Sequence, residues 1–152
     1  MKLAEALILR ADCQKRIEQL RQRLLRSAKV QEGEQPPEEP QGLIAELEAT
    51  VNELTDLIKK INKTNSLTTL EDNVSITDAL AQRDTLSLKR SVYDSLVNAA
   101  AVTSNLYSRS EIKSFSTVNI SELQSQINSL SREYRELDTK IQEANWTTEL
   151  IN

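Results

Sequence analysis

The sequence contains no histidine, one cysteine, two glycines and three prolines in 152 residues. Each shortage excludes a class of chemistry. Without an imidazole there is no histidine general base, no Ser-His or Cys-His nucleophile pair, and no Glu-x-x-His ligand set of the kind that di-iron bundles use. A lone Cys13 closes no intramolecular disulfide and builds no zinc site. Gly33 and Gly42 cannot furnish a Walker loop or a dinucleotide fingerprint. Catalytic residues, metal ligands and cofactors are therefore all expected to be none, and the chain is not expected to be an enzyme. Carboxylate pairs such as Glu46 with Glu48 or Glu133 with Glu136 read as ordinary helix-surface charges.

Aromatics are scarce as well: Tyr93, Tyr107, Phe115, Tyr134 and Trp146 are the whole set. The core must therefore be built mostly from Leu, Ile, Val and Ala. Long apolar runs are missing, since no window approaches the eighteen or so residues of a membrane span. Glu5, Arg10 and Asp12 interrupt the apolar start of the chain, and no small-residue cleavage site follows it. The expectation is a cytoplasmic chain with no integral membrane segment.

What is present is heptad spacing. A content of 38% hydrophobic and 28% charged residues, with so few turn formers, is the profile of long helices with solvated faces. The predicted fold is all-α, a single helical domain over 1–152 with four long antiparallel helices at about 3–28, 41–62, 78–104 and 120–145, arranged as helical hairpins or a four-helix bundle. The first seam reads Leu3, Ala6, Arg10, Cys13, Ile17, Leu20 and Leu24, with Arg10 as its misfit. The second reads Ile44, Leu47, Val51, Leu54, Ile58 and Ile61, after which the next slot falls on the polar Asn65. The third gathers Ala81, Leu88, Val92, Leu96, Ala99 and Val102, and ends in a run of small residues. The fourth is Ile120, Leu123, Ile127, Leu130, Tyr134, Leu137, Ile141 and Ala144, opening at a capping box of Asn119 with Glu122 or Ser121 with Gln124.

Between these helices, residues 29–40 carry Gly33, Pro36, Pro37 and Pro40 among acids and read as a mobile loop. Residues 107–118 alternate weakly in β-prone types and read as an extended segment or short strand, one that could pair with another copy of the chain.

Charge is unevenly distributed. Residues 1–29 hold eight Lys/Arg against three acids, and residues 30–60 hold two against eight. A basic helix beside an acidic one reads either as a nucleic-acid patch or as an antiparallel pair with complementary flanks. The basic face has no interleaved aromatics for base stacking, so pairing is the preferred reading and nucleic acid is not an expected partner.

Up-down connectivity gathers Arg10, Asp12, Asn62, Asn65, Arg83, Asp84, Asn145 and Trp146 at one end of the helices. These polar groups beside the only tryptophan read in two ways. They are a network that fixes helix register, or they are a pocket for a small polar ligand or anion.

The runs LAEALILRAD, KRIEQLRQRLL, AKVQEGE, INKTN, LTTLEDNVSITDALAQRD, YSRSEIK and EYRELDTKIQEANWTTEL resemble the septicolysin-like family of small bacterial proteins over nearly the whole chain. That resemblance implies a domain of unknown function, and the family name implies a membrane-lytic activity. The residues themselves offer no alternation long enough for a β pore and no apolar helix for an α pore. The leading expectation is a non-enzymatic helical module that forms a homo-oligomer and presents a surface to a protein partner. Ligand binding at the polar end is the second expectation, and membrane lysis the third.

Overall fold

The computed structural model describes residues 1–101 and 112–152. Four helices account for most of them: α1 (Leu3–Arg26), α2 (Pro40–Leu67), α3 (Ile76–Ala101) and α4 (Ile120–Thr147), with a 3-10 turn at Glu71–Asn73 before α3. The fold is all-α, and no strand occurs among the described residues. Residues 112–118 are irregular, while the 107–111 part of the expected β segment and the Val102 end of the third seam lie outside the described residues.

Helix ends follow local chemistry. Pro40 sits in the first turn of α2, where its missing N–H costs nothing, and the Glu39 side chain accepts the Gln41 N–H at 3.3 Å. The Asn119 Oδ1 accepts the Glu122 N–H at 3.0 Å, capping α4. The turn before α3 places Asp72 and Asn73 at φ of 67° and 63°, the left-handed region that short polar side chains tolerate best.

The chain divides into two compact units, residues 1–75 with 142–152, and residues 76–141. In the first, α1 packs along α2 as an antiparallel hairpin. Leu3, Ala6, Cys13 and Leu20 of α1 and Leu43, Leu57 and Ile61 of α2 are buried. Arg16 pairs with Glu53 at 3.2 Å, and Arg23 reaches Glu38 just ahead of α2, so the basic helix meets acids of the following stretch. The last residues of the chain close this unit. The Leu3 N–H donates to the Thr148 carbonyl and the Leu150 N–H to the Met1 carbonyl, both at 2.9 Å. The Ile151 N–H donates to the Thr64 hydroxyl at 2.9 Å, and Lys63 Nζ donates to the Asn152 carbonyl at 2.8 Å.

α2 differs from its sequence expectation in length and in face. It runs five residues past Asn62, because the stripe it buries is not Ile44–Val51–Ile58 but the neighbouring one: Leu43, Thr50, Leu57, Ile61 and Thr64. Two threonines enter this stripe because their hydroxyls are satisfied locally, Thr50 by the Glu46 carbonyl at 2.8 Å and Thr64 by that of Lys60 at 2.7 Å. Thr64 thereby continues the buried stripe past the point where Asn65 had seemed to end it. Ile44, Val51 and Ile58 are exposed.

In the second unit α3 and α4 run antiparallel. Arg83 donates to Asp138 at 3.0 Å and Arg90 donates to Ser131 at 3.4 Å, so seven residues forward on α3 match seven residues back on α4. Ile127 and Leu130 are buried, as the α4 seam predicts. α3 begins at Ile76, two residues before the expected Asp78, because Ile76 is itself a buried side chain.

Candidate interaction surface

α3 carries apolar side chains on two faces, with two arginines set into the inner one. Its half-buried and buried positions are Ile76, Ala79, Leu80, Arg83, Leu86, Ser87, Arg90, Tyr93, Val97 and Ala100, a stripe at helical spacing. Two of the ten are arginines. Their long aliphatic stems let them lie against α4 while their heads find polar partners there. Arg83 takes Asp138, and its Nε also donates to Asp84 at 3.2 Å. Arg90 has the Ser131 hydroxyl, and its Nε is buried without a hydrogen-bond partner among the described residues.

Leu80 and Leu86 lie half-buried, while Leu88 and Leu96 face outward. Leu88 is 66% exposed, Val92 58% and Leu96 38%, and Ala81, Thr85, Ser95 and Ala99 are exposed alongside them. Ala81, Thr85, Leu88, Val92, Ser95 and Ala99 follow a four-three alternation, which is the spacing of a coiled-coil seam. Of the third seam expected from sequence, Ala81, Leu88, Val92, Leu96 and Ala99 lie on the surface rather than in the core. Single exposed leucines are ordinary, whereas a contiguous apolar stripe marks a place where something docks. Beyond its C-terminal end, Phe115 and Ile112 are each 82% exposed, and Phe115 lines a small notch with Leu96, Ala99 and Ala100.

The eight residues of the expected polar end are divided between the units. Arg10, Asp12, Asn62, Asn65, Asn145 and Trp146 belong to the first, and Arg83 and Asp84 to the second. Asn145 is buried, Asn65 is half-buried with an Oδ1 that has no partner among the described residues, and Arg10 is half-buried. Asp12 and Asn62 are exposed, and Trp146 is 57% exposed rather than seated in a pocket wall. Arg83 donates to both Asp84 and Asp138. The described residues hold no cluster of side chains suited to a metal ion, and none of their helices is long and apolar enough to cross a membrane. Sequence reasoning passed over an open groove of about 480 Å³ between α3 and α4, rimmed by Glu133, Glu136 and Lys140. The sequence reads Glu133 and Glu136 as ordinary helix-surface charges.

Comparison with other proteins places the chain. A family model described as "Family of unknown function (DUF6847)" matches residues 10–150. A crystal structure described as that of a functionally unknown conserved protein from Corynebacterium diphtheriae is similar at 43% identity and a TM-score of 0.94, over 99% of both chains. No curated protein matches. The resemblance to septicolysin-like proteins is overturned by these matches, neither of which leads to that family, and the lytic expectation that rested on its name goes with it. The quoted runs are rich in Leu, Glu, Gln and Arg at heptad spacing, a texture that unrelated long helices share.

Proposed function

The chain belongs to this family of unknown function, and we propose that it is a non-enzymatic helical assembly module that pairs with a second copy of itself through the outer face of α3. The observation that carries this reading is the second apolar stripe of α3: Arg83 and Arg90 are turned to α4 while Leu88, Val92 and Leu96 are left to solvent. Leaving these side chains in water forgoes about 1.5–3 kcal/mol for each one fully buried. A copy of the same helix supplies a matching stripe at the same spacing. The lack of histidine, of a cysteine pair and of a glycine loop supports a role without chemistry.

Light scattering over a dilution series tests the proposal. The 17.2 kDa chain is expected to show a dimer mass at high concentration that falls on dilution. Leu88→Glu, at an exposed position, is expected to hold the mass at that of the monomer with an unchanged helical circular dichroism signal. A wild-type mass of one chain up to millimolar concentration would refute it.

A further inference from the structure

Resting on the pairing proposed above, we infer that the two copies of α3 lie parallel and in register, with Asp84 of each chain beside Lys89 of the other. Two independent features of the outer face lead to this arrangement.

The first is the order of branched and unbranched side chains in the seam. Taking Leu88 as a d position places Ala81 and Ser95 at d as well, and Thr85, Val92 and Ala99 at a. The two central a residues are then β-branched and the central d residue is leucine, the combination that favours parallel two-stranded coils. Small residues at Ala81, Ser95 and Ala99 bracket this short apolar centre, so the helices approach closely at both ends. The same frame puts Arg83, Arg90 and Val97 at f, the position opposite the seam, which is where α4 lies against α3.

The second is charge. In this frame the g positions are Asp84, Ser91 and Asn98, and the e positions are Gln82, Lys89 and Leu96. In a parallel pair each g residue stands beside the e residue five positions on in the partner, so Asp84 meets Lys89 twice about the two-fold axis. In an antiparallel pair e faces e and g faces g. Lys89 would then meet Lys89, Gln82 or Leu96, and no opposite charges would come together in any register. Both groups are available: the Asp84 side chain is 68% exposed although it accepts from Arg83, and Lys89 is an exposed residue whose Nζ lies 5.6 Å from the Tyr93 ring centroid. Flanking charges decide orientation more than strength, and here they select one orientation.

Site-directed disulfides test this. The parent chain serves as control, since its single thiol, Cys13, is fully buried. Thr85→Cys and Val92→Cys, each alone and oxidised at a concentration where the parent dimerises, are both expected to give covalently self-linked dimers. In an antiparallel pair at most one position can meet itself. One cross-link without the other therefore overturns the parallel register while leaving the pairing intact. Neither cross-link in a chain that still dimerises overturns both, because another face would then be in use.

Charge reversal gives a second readout. Asp84→Lys and Lys89→Asp are each expected to weaken dimerisation about fivefold or more, and the double reversal to restore it to near the parent value. Reversals without mutual rescue would count against the Asp84–Lys89 rung.

Discussion

Arg83 on α3 donates to Asp138 on α4 at 3.0 Å, a charged rung between antiparallel helices in which the arginine is only 21% exposed. One heptad further along, the equivalent rung joins Arg90 to the neutral Ser131. The inner face of α3 is therefore held by polar contacts of unequal strength.

Cutting the first rung should be felt. Arg83→Met or Asp138→Asn is expected to cost about 1–2 kcal/mol of unfolding free energy, because one partner of a part-buried charged hydrogen bond is left behind. A double-mutant cycle followed by urea denaturation should give a coupling near 1 kcal/mol between the two residues. Coupling indistinguishable from zero would mean the rung holds nothing.

The second rung can be completed. Ser131→Asp would place a carboxylate before Arg90, and is expected to raise unfolding free energy by about 1 kcal/mol. Ser131→Ala, which removes only the 3.4 Å hydroxyl contact, is expected to change it by less than about 0.5 kcal/mol. Thermal melts of the three proteins provide the comparison.

How much of this was legible in the sequence depended on what each polar residue finds in the fold. The seams of α1 and α4 read correctly, since Leu3, Cys13, Leu20, Ile127, Leu130 and Ile141 are both apolar and buried. α2 has two adjacent apolar stripes, and hydropathy chose Ile44–Val51–Ile58 because its rival contains Thr50 and Thr64. Their hydroxyls are satisfied by carbonyls one turn back, which no hydropathy pattern reveals. α3 misled for a related reason: Arg83 lies inside because Asp138, 55 residues away, is there to meet it. The eight residues of the expected polar end were collected by connectivity alone, and connectivity does not say that Asn145 is buried or that Trp146 faces largely outward.

Acid should loosen the chain ends and the connection between α1 and α2. Hydrogen bonds from Lys2 and then from the N-terminal ammonium hold the Glu149 carboxyl below its ordinary value of 4.5, and Arg23 does the same for Glu38. A carboxylate whose folded pKa is depressed contributes stability that is fully present above its unfolded pKa and is lost as pH falls through the folded one. Melting temperature is therefore expected to drop as pH goes below 4.5, and Glu149→Gln and Glu38→Gln should each flatten part of that fall. The Glu149 pair is the more solvent-exposed and the Arg23–Glu38 pair is half-buried, so added salt should diminish the first contribution more than the second. Curves of wild type and variants that run parallel from pH 6 to 3 would contradict this.

Cys13 should be inert while the chain is folded. Burial is the main cause that pushes its thiol above the ordinary value, and the side chain is fully covered on the α1 seam. Ellman's reagent is expected to react negligibly under native conditions and stoichiometrically in denaturant. Cys13→Ser, which buries a hydroxyl in place of a sulfur, should cost about 1–3 kcal/mol.

The way the two ends of the chain are tied has a mechanical consequence. The Met1–Leu150 and Leu3–Thr148 backbone bonds are antiparallel, and both chain ends leave from the same side of that short ladder. Tension applied between the first and last residues would thus peel the bonds one after another rather than shear them together. The first yielding event under load should come at low force and release the last turn of α4 from the start of α1 before either helix unwinds.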